Sequence, residues 1–286
     1  MLSGFVPWLG VNHYDRRAMR LHDYLERVRV SEPLTADVES LRRLHVAHRE
    51  AFLFENISIQ TGGGISVALG DIERKFLDEG RGGYCFEHNT LFSTALREIG
   101  FAVTTLLGRV RRGPPERWCR THMVLRVTID GEPWLADVGF GGIGLLEPIP
   151  MRDGATAEQV GLIYTLRREA HVWSLASKGS DPTARGAGSD PGDMYEFSED
   201  PQTPGDVEVA NHYTSTHPDS MFRRTLTIQR TTREERTILR HSTFTRYVDG
   251  RIEERAIDNA DARAIARDVF GVTLPVGPLV YESAGT

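Results

Sequence analysis

Cysteine is scarce in this chain of 286 residues: Cys85 and Cys119 are the only two. They could form one bridge at most, too few to staple a chain of this size, so a disulfide framework is excluded and reduced thiols are expected. Lysine is equally rare, with Lys75 and Lys178 among 34 basic residues and arginine for all the rest. Against 40 acidic residues this leaves a net charge of −6, which lacks the basic excess of a dedicated nucleic-acid binder. No run reaches about 18 consecutive apolar residues, so no helix is expected to span a membrane. The opening Met1-Leu2-Ser3-Gly4-Phe5-Val6-Pro7-Trp8 has neither the basic start nor the apolar stretch of a secretory signal, and a cytoplasmic protein is expected. Internal repeats are missing, as are a Gly-x-x-x-x-Gly-Lys-Ser/Thr phosphate loop and the paired short spacings of a zinc site. What is present, 40% hydrophobic and 26% charged residues, describes an ordinary globular chain long enough for about two domains.

The apolar period changes once along the chain. Tyr14, Met19, Leu21, Tyr24 and Leu25 recur at helical spacing, and Val38, Leu41, Leu44, His45, His48 and Phe52 repeat the pattern. Gly62-Gly63-Gly64 interrupts, 71–77 offers a short helix, and 85–99 is the clearest helix, with Gly100 as its stop. From there the period is two: 101–110, 122–129, 134–140, 162–167 and 171–175 read as strands of one β-unit. The stretch 178–193 is nearly devoid of large apolar groups and reads as an exposed loop. Strands at 224–229 and 236–240, the turn Asp249-Gly250 and a final helix at 259–270 follow.

Cys85 stands just after Gly82-Gly83-Tyr84 at the first turn of the clearest helix. A lone cysteine is by default a small core residue. A helix start favours a thiolate, however, and the glycines allow close approach, so a nucleophile is the sharper reading. Such a nucleophile needs a base, and the base an orienting acceptor. Asp130-Gly131 between two alternating runs predicts a two-residue hairpin turn with Ile129 opposite Glu132. That register gathers Met123, Leu125, Val127 and Ile129 on the face of Trp134, Ala136 and Val138, and places His122 and Asp137 diagonally on the other face. Diagonal partners lie roughly 7 to 8 Å apart at the backbone, within side-chain reach. A one-residue slip would part them. Cys85 as nucleophile, His122 as base and acid and Asp137 as orienting carboxylate therefore form a candidate triad, with Cys119 left incidental. Gly139-Phe140-Gly141-Gly142-Ile143-Gly144 matches the spacing of a dinucleotide fingerprint, yet Leu145-Leu146-Glu147-Pro148 is a poor helix opening, so no nucleotide-redox cofactor is expected.

With the triad in place the chain resembles the arylamine N-acetyltransferases. The matching segments are Arg81-Gly82-Gly83-Tyr84-Cys85-Phe86-Glu87-His88-Asn89, Thr121-His122-Met123 and Asp137-Val138-Gly139-Phe140-Gly141-Gly142. Tyr24-Leu25-Glu26-Arg27, Phe54-Glu55-Asn56-Ile57 and Asn211-His212-Tyr213-Thr214-Ser215-Thr216-His217-Pro218 agree in order. The resemblance implies an α+β fold with a cysteine-protease or transglutaminase-like catalytic core: a helical bundle at 1–100, a β-barrel-like domain at 101–210 and an α/β lid at 211–286. It implies ping-pong transfer of an acetyl group from acetyl-CoA, through acetyl-Cys85, to the nitrogen of an arylamine, hydrazine or arylhydroxylamine, with coenzyme A released and no metal. Carried over residue by residue, Thr121, Phe140, Gly141 and Phe222 line the cleft and Phe86 flanks the nucleophile. Arg81 and Glu55 are expected to form a structural ion pair. An amide synthase of natural-product assembly and a cysteine hydrolase or transglutaminase-like enzyme would carry the same triad and stay open, as does homo-oligomerisation.

Overall fold

The computed structural model describes residues 18–31, 33–179 and 193–283. Helices come first: α1 (Leu21–Val28), α2 (Val38–Ala51), the two-residue strand β1 (Phe54–Glu55), α3 (Ile57–Gln60), α4 (Leu69–Glu73), a π turn at Arg74–Asp78, and α5 (Cys85–Ile99). Asp37 caps α2 by accepting from the Ser40 N–H, and Gly100 ends α5 in the left-handed conformation at φ 108°, where a side chain would be strained. Leu41, Leu44, Leu91, Phe92 and Leu96 turn inward at helical spacing into one core with Tyr24 and Phe76.

The middle of the chain is antiparallel: β2 (Ala102–Val110), β3 (Arg120–Ile129), β4 (Glu132–Ala136), β5 (Ile149–Pro150), β6 (Ala155–Gln159), β7 (Leu162–Glu169), β8 (Val172–Lys178) and β9 (Asp193–Ser198). Their order is β5-β4-β3-β2-β9-β8-β7-β6, and β5 approaches β6, so the sheet curls into a nearly closed barrel around Leu106, Val124, Leu135, Leu166 and Leu175. The expected register holds: Ile129 faces Glu132 and Leu125 faces Ala136. Asp130 and Gly131 both take positive φ, the two-residue turn that suits the strand twist. Residues 180–192 of the stretch expected as a loop, and Tyr14 of the first helical pattern, lie outside the described residues.

After α6 (Pro204–Thr216) and α7 (Met221–Arg224) come β10 (Thr227–Thr231), β11 (Glu235–Arg240), β12 (Thr243–Val248), β13 (Arg251–Ala256), α8 (Asn259–Asp268) and α9 (Val280–Ser283). These strands form a second sheet, β1-β10-β11-β12-β13, in which Phe54 pairs with Gln229. The last third of the chain is thereby stitched to the segment that pairs with the Gly82-Gly83 loop.

Candidate active site

Cys85 is the first residue of α5, and the loop before it is held on both sides. The Gly83 N–H donates to the Leu53 carbonyl and the Glu55 N–H donates to the Gly83 carbonyl. A Cβ on Gly82 would lie 1.8 Å from the Leu53 oxygen, so only glycine fits. Beneath the loop the buried Glu55 takes Arg81 at 2.7 Å and Lys75 at 3.7 Å, and Lys75 also meets Glu87 at 2.7 Å. The expected Arg81–Glu55 pair is thus part of a four-charge cluster. Glu87 accepts from the Tyr84 N–H, which fixes the start of α5, and the Tyr84 hydroxyl donates to the Asn211 side chain on α6.

The hairpin brings His122 and Asp137 together: His122 Nε2–H donates to Asp137 Oδ2 at 2.7 Å, and both side chains are at most 3% exposed. With Nε2 engaged, Nδ1 is the ring nitrogen left for Cys85. Burial alone would lower the His122 pKa. Attraction and hydrogen bonding from Asp137, then from Cys85, outweigh it and hold the imidazole well above its ordinary value. Burial likewise opposes ionisation of Asp137, and the His122 charge with hydrogen bonds from His122, the Gly139 N–H and Asn89 holds its carboxyl below the usual range. The pair is therefore an imidazolium facing a carboxylate, with Cys85 beside the imidazolium.

A cleft of about 250 Å³ opens onto these groups. Thr121, Phe140 and Phe222 stand on its wall with Cys85 and His122. Phe86 and Gly141 do not. The Phe86 ring is fully buried edge-on to Tyr84, and Gly141 packs against Phe54 and Gln229 while its carbonyl accepts from Arg49. Cys119 lies exposed at the cleft. The glycine-rich segment 139–144 continues into turns and then β5 with no helix after it, so the phosphate-cradling terminus of a dinucleotide site has no counterpart there.

A family model described as N-acetyltransferase matches residues 37–279. An arylamine N-acetyltransferase / N-hydroxyarylamine O-acetyltransferase of Salmonella typhimurium is 35% identical over 237 residues, 82% of each chain. The chain belongs to the arylamine N-acetyltransferase family. Among solved structures of arylamine N-acetyltransferases, that of M. smegmatis aligns with TM-score 0.81 at 32% identity, covering 92% of this chain and 97% of the other. That of Mycobacterium marinum in complex with CoA aligns with TM-score 0.79 at 30% identity, covering 88% and 92%. Membership makes this chain an acyltransferase.

Three side chains of this arylamine N-acetyltransferase fold that sequence reasoning left without a role brace the site. Asn89, one turn after Cys85, donates to the Met123 carbonyl at 2.8 Å and to Asp137 Oδ1 at 3.2 Å, and accepts from the Val138 N–H. Its i+4 spacing from Cys85 was the available signal. His45 Nε2 accepts from the Asp137 N–H at 3.1 Å while its Nδ1–H donates to the Leu146 carbonyl, and burial pushes its pKa down to about 4, so it stays neutral. Tyr195 lays its ring 4.8 Å from that of His122 and 5.1 Å from that of Phe140, and burial beside the Asp137 charge raises its hydroxyl well above the ordinary phenol value.

Proposed function

We propose that the cleft transfers an acetyl group from acetyl-CoA to the nitrogen of an arylamine, hydrazine or arylhydroxylamine by two half-reactions through acetyl-Cys85. The observation that carries this reading is the buried His122–Asp137 pair at 2.7 Å beside a cysteine on a helix N-terminus. In the resting site the Cys85 proton already sits on His122, whose imidazolium Asp137 stabilises, and Cys85 stands beside it as the thiolate. The thiolate attacks the thioester carbonyl, the carbon–sulfur bond to CoA breaks, and the imidazolium protonates the departing CoA thiolate. His122, now neutral, takes a proton from the amine as its nitrogen attacks acetyl-Cys85, and the cysteine thiolate leaves. The resting ion pair is regenerated and no proton is left over. Of the cleft walls, Thr121, Phe140 and Phe222 are assigned to pantetheine and the aromatic acceptor, since apolar walls with a few polar groups suit both.

Incubation with acetyl-CoA followed by mass spectrometry tests the intermediate. One acetyl adduct on Cys85 and none on Cys119 is expected, discharged on adding an aromatic amine or hydrazine with stoichiometric release of CoA. Cys85→Ala should release none. Full activity in that variant, or rapid hydrolysis of acetyl-CoA with no amine present, overturns the reading.

A further inference from the structure

Cations wholly or partly buried among the described residues are generally answered by an acceptor. Lys75 has Glu87, Arg81 has Glu55, and Arg49 donates to the Val138 and Gly141 carbonyls. Arg240, at the end of β11, breaks the pattern. Its side chain makes no ion pair or hydrogen bond among the described residues, and its Nε is buried without a partner. It faces the cleft that contains Cys85 and His122, and so does Arg112, which has no carboxylate partner among the described residues and whose guanidinium meets only the Met221 sulfur at 3.5 Å. The two lie close enough that burial first, and the Arg112 charge second, push the Arg240 pKa down. A third arginine of the cleft, Arg117, is already turned to Asp219, which Arg224 also engages. Two converging guanidinium groups without counter-charge, one of them largely desolvated, are costly unless an anion completes them.

We propose that Arg240, assisted by Arg112, docks an anionic group carried by a substrate of this cleft. The proposal rests on the acyl-transfer reading of the same site. Phosphate and carboxylate oxygens share the chemistry: each accepts from the planar guanidinium fork through charge-assisted hydrogen bonds. The anion has two sources, the phosphates of the acyl donor or a carboxylate on the aromatic acceptor. Either would be oriented by the two arginines while Phe140, Phe222 and Trp118 hold the uncharged remainder.

The test compares charged and uncharged partners in wild type, Arg240→Gln, Arg240→Lys and Arg112→Gln. The donor arm is acetyl-CoA against S-acetylpantetheine, and the acceptor arm is 4-aminobenzoate against its methyl ester. In at least one arm the ratio of kcat/KM for the charged over the uncharged partner should fall about tenfold or more in Arg240→Gln. Arg112→Gln should shift the same ratio in the same direction, and Arg240→Lys should retain part of the preference. The arm that moves identifies the source of the anion. Ratios within about twofold of wild type in both arms, or an equal loss for charged and uncharged partners, overturn the proposal. Calorimetric titration with coenzyme A and with 4-aminobenzoate separates this from the fate of the acyl-transfer reading. Should the wild type acetylate none of the probes, that reading fails, while binding about tenfold weaker in Arg240→Gln still supports the anion site and unchanged binding removes it.

Discussion

At the scale of single residues, the protonation of His122 has a kinetic signature. Asp137 and Cys85 raise its pKa above the ordinary 6.5, so the imidazolium is present throughout the neutral range. A base that worked from the neutral form at rest would switch on near 6.5. Here kcat/KM for acetyl-CoA is expected to stay flat between pH 6 and 8 and to fall only as His122 loses its proton at higher pH. A stopped-flow profile of acylation with a single step near 6.5 would contradict this. Cys85, His122 and Asp137 were legible because each is tied to a local signal: a helix start, a hairpin, a diagonal in its register. Asn89, His45 and Tyr195 were not, since their work depends on which distant backbone arrives beside them. His45 meets Asp137 across 92 residues of chain, and nothing local announces such a contact.

Among the elements, the β3–β4 hairpin was readable because one buried face penalises every other register. Two of the strands that escaped notice carry little apolar alternation. β13, Arg-Ile-Glu-Glu-Arg-Ala, is a mostly exposed edge, and β6, Ala-Thr-Ala-Glu-Gln, is held by its neighbour β7 more than by its own side chains. The approach of the strand end after Asp137 to α5 is tight enough to test. A Cβ on Gly139 would sit 2.7 Å from the Cys85 Cα and 2.6 Å from Asn89 Nδ2. Gly139→Ala is therefore expected to cost about 1–3 kcal/mol of stability and to slow Cys85 acylation at least about tenfold, because a shift near 1 Å of a reacting group costs that much or more. Gly205→Ala, where the added carbon meets nothing nearer than 3.8 Å, is the control. Equal acylation rates in the two variants, followed by mass spectrometry, would refute the claim.

For the whole molecule, three histidines buried around the helical core make acid stability a measurable property. His48 Nε2 and His88 Nδ1 are 3.0 Å apart, with Tyr24 on the far side of His48 and the Leu53 carbonyl accepting from His88. Burial depresses His48 well below 6.5, His88 to about 3 and His45 to about 4. Each takes up a proton near 6.5 only when unfolded, so stability is full above that pH and drains below it, at about 1.4 kcal/mol per pH unit for each group. His122 has the opposite sign: its contribution is full below 6.5 and is lost as pH rises through its raised folded value. Melting temperature should thus peak near neutrality and drop from pH 7 to 5, with a shallower acid limb in His88→Gln. A flat profile over that range would remove the histidines from the account. The pairing of Phe54 with Gln229 carries a further consequence, for the order of folding. The two partners are 175 residues apart in the chain, and contacts of such separation close late. During synthesis the helices bearing Cys85 emerge long before β10 exists, so the thiol is made first and its surroundings are completed only when the last third of the chain returns to close the edge beside it.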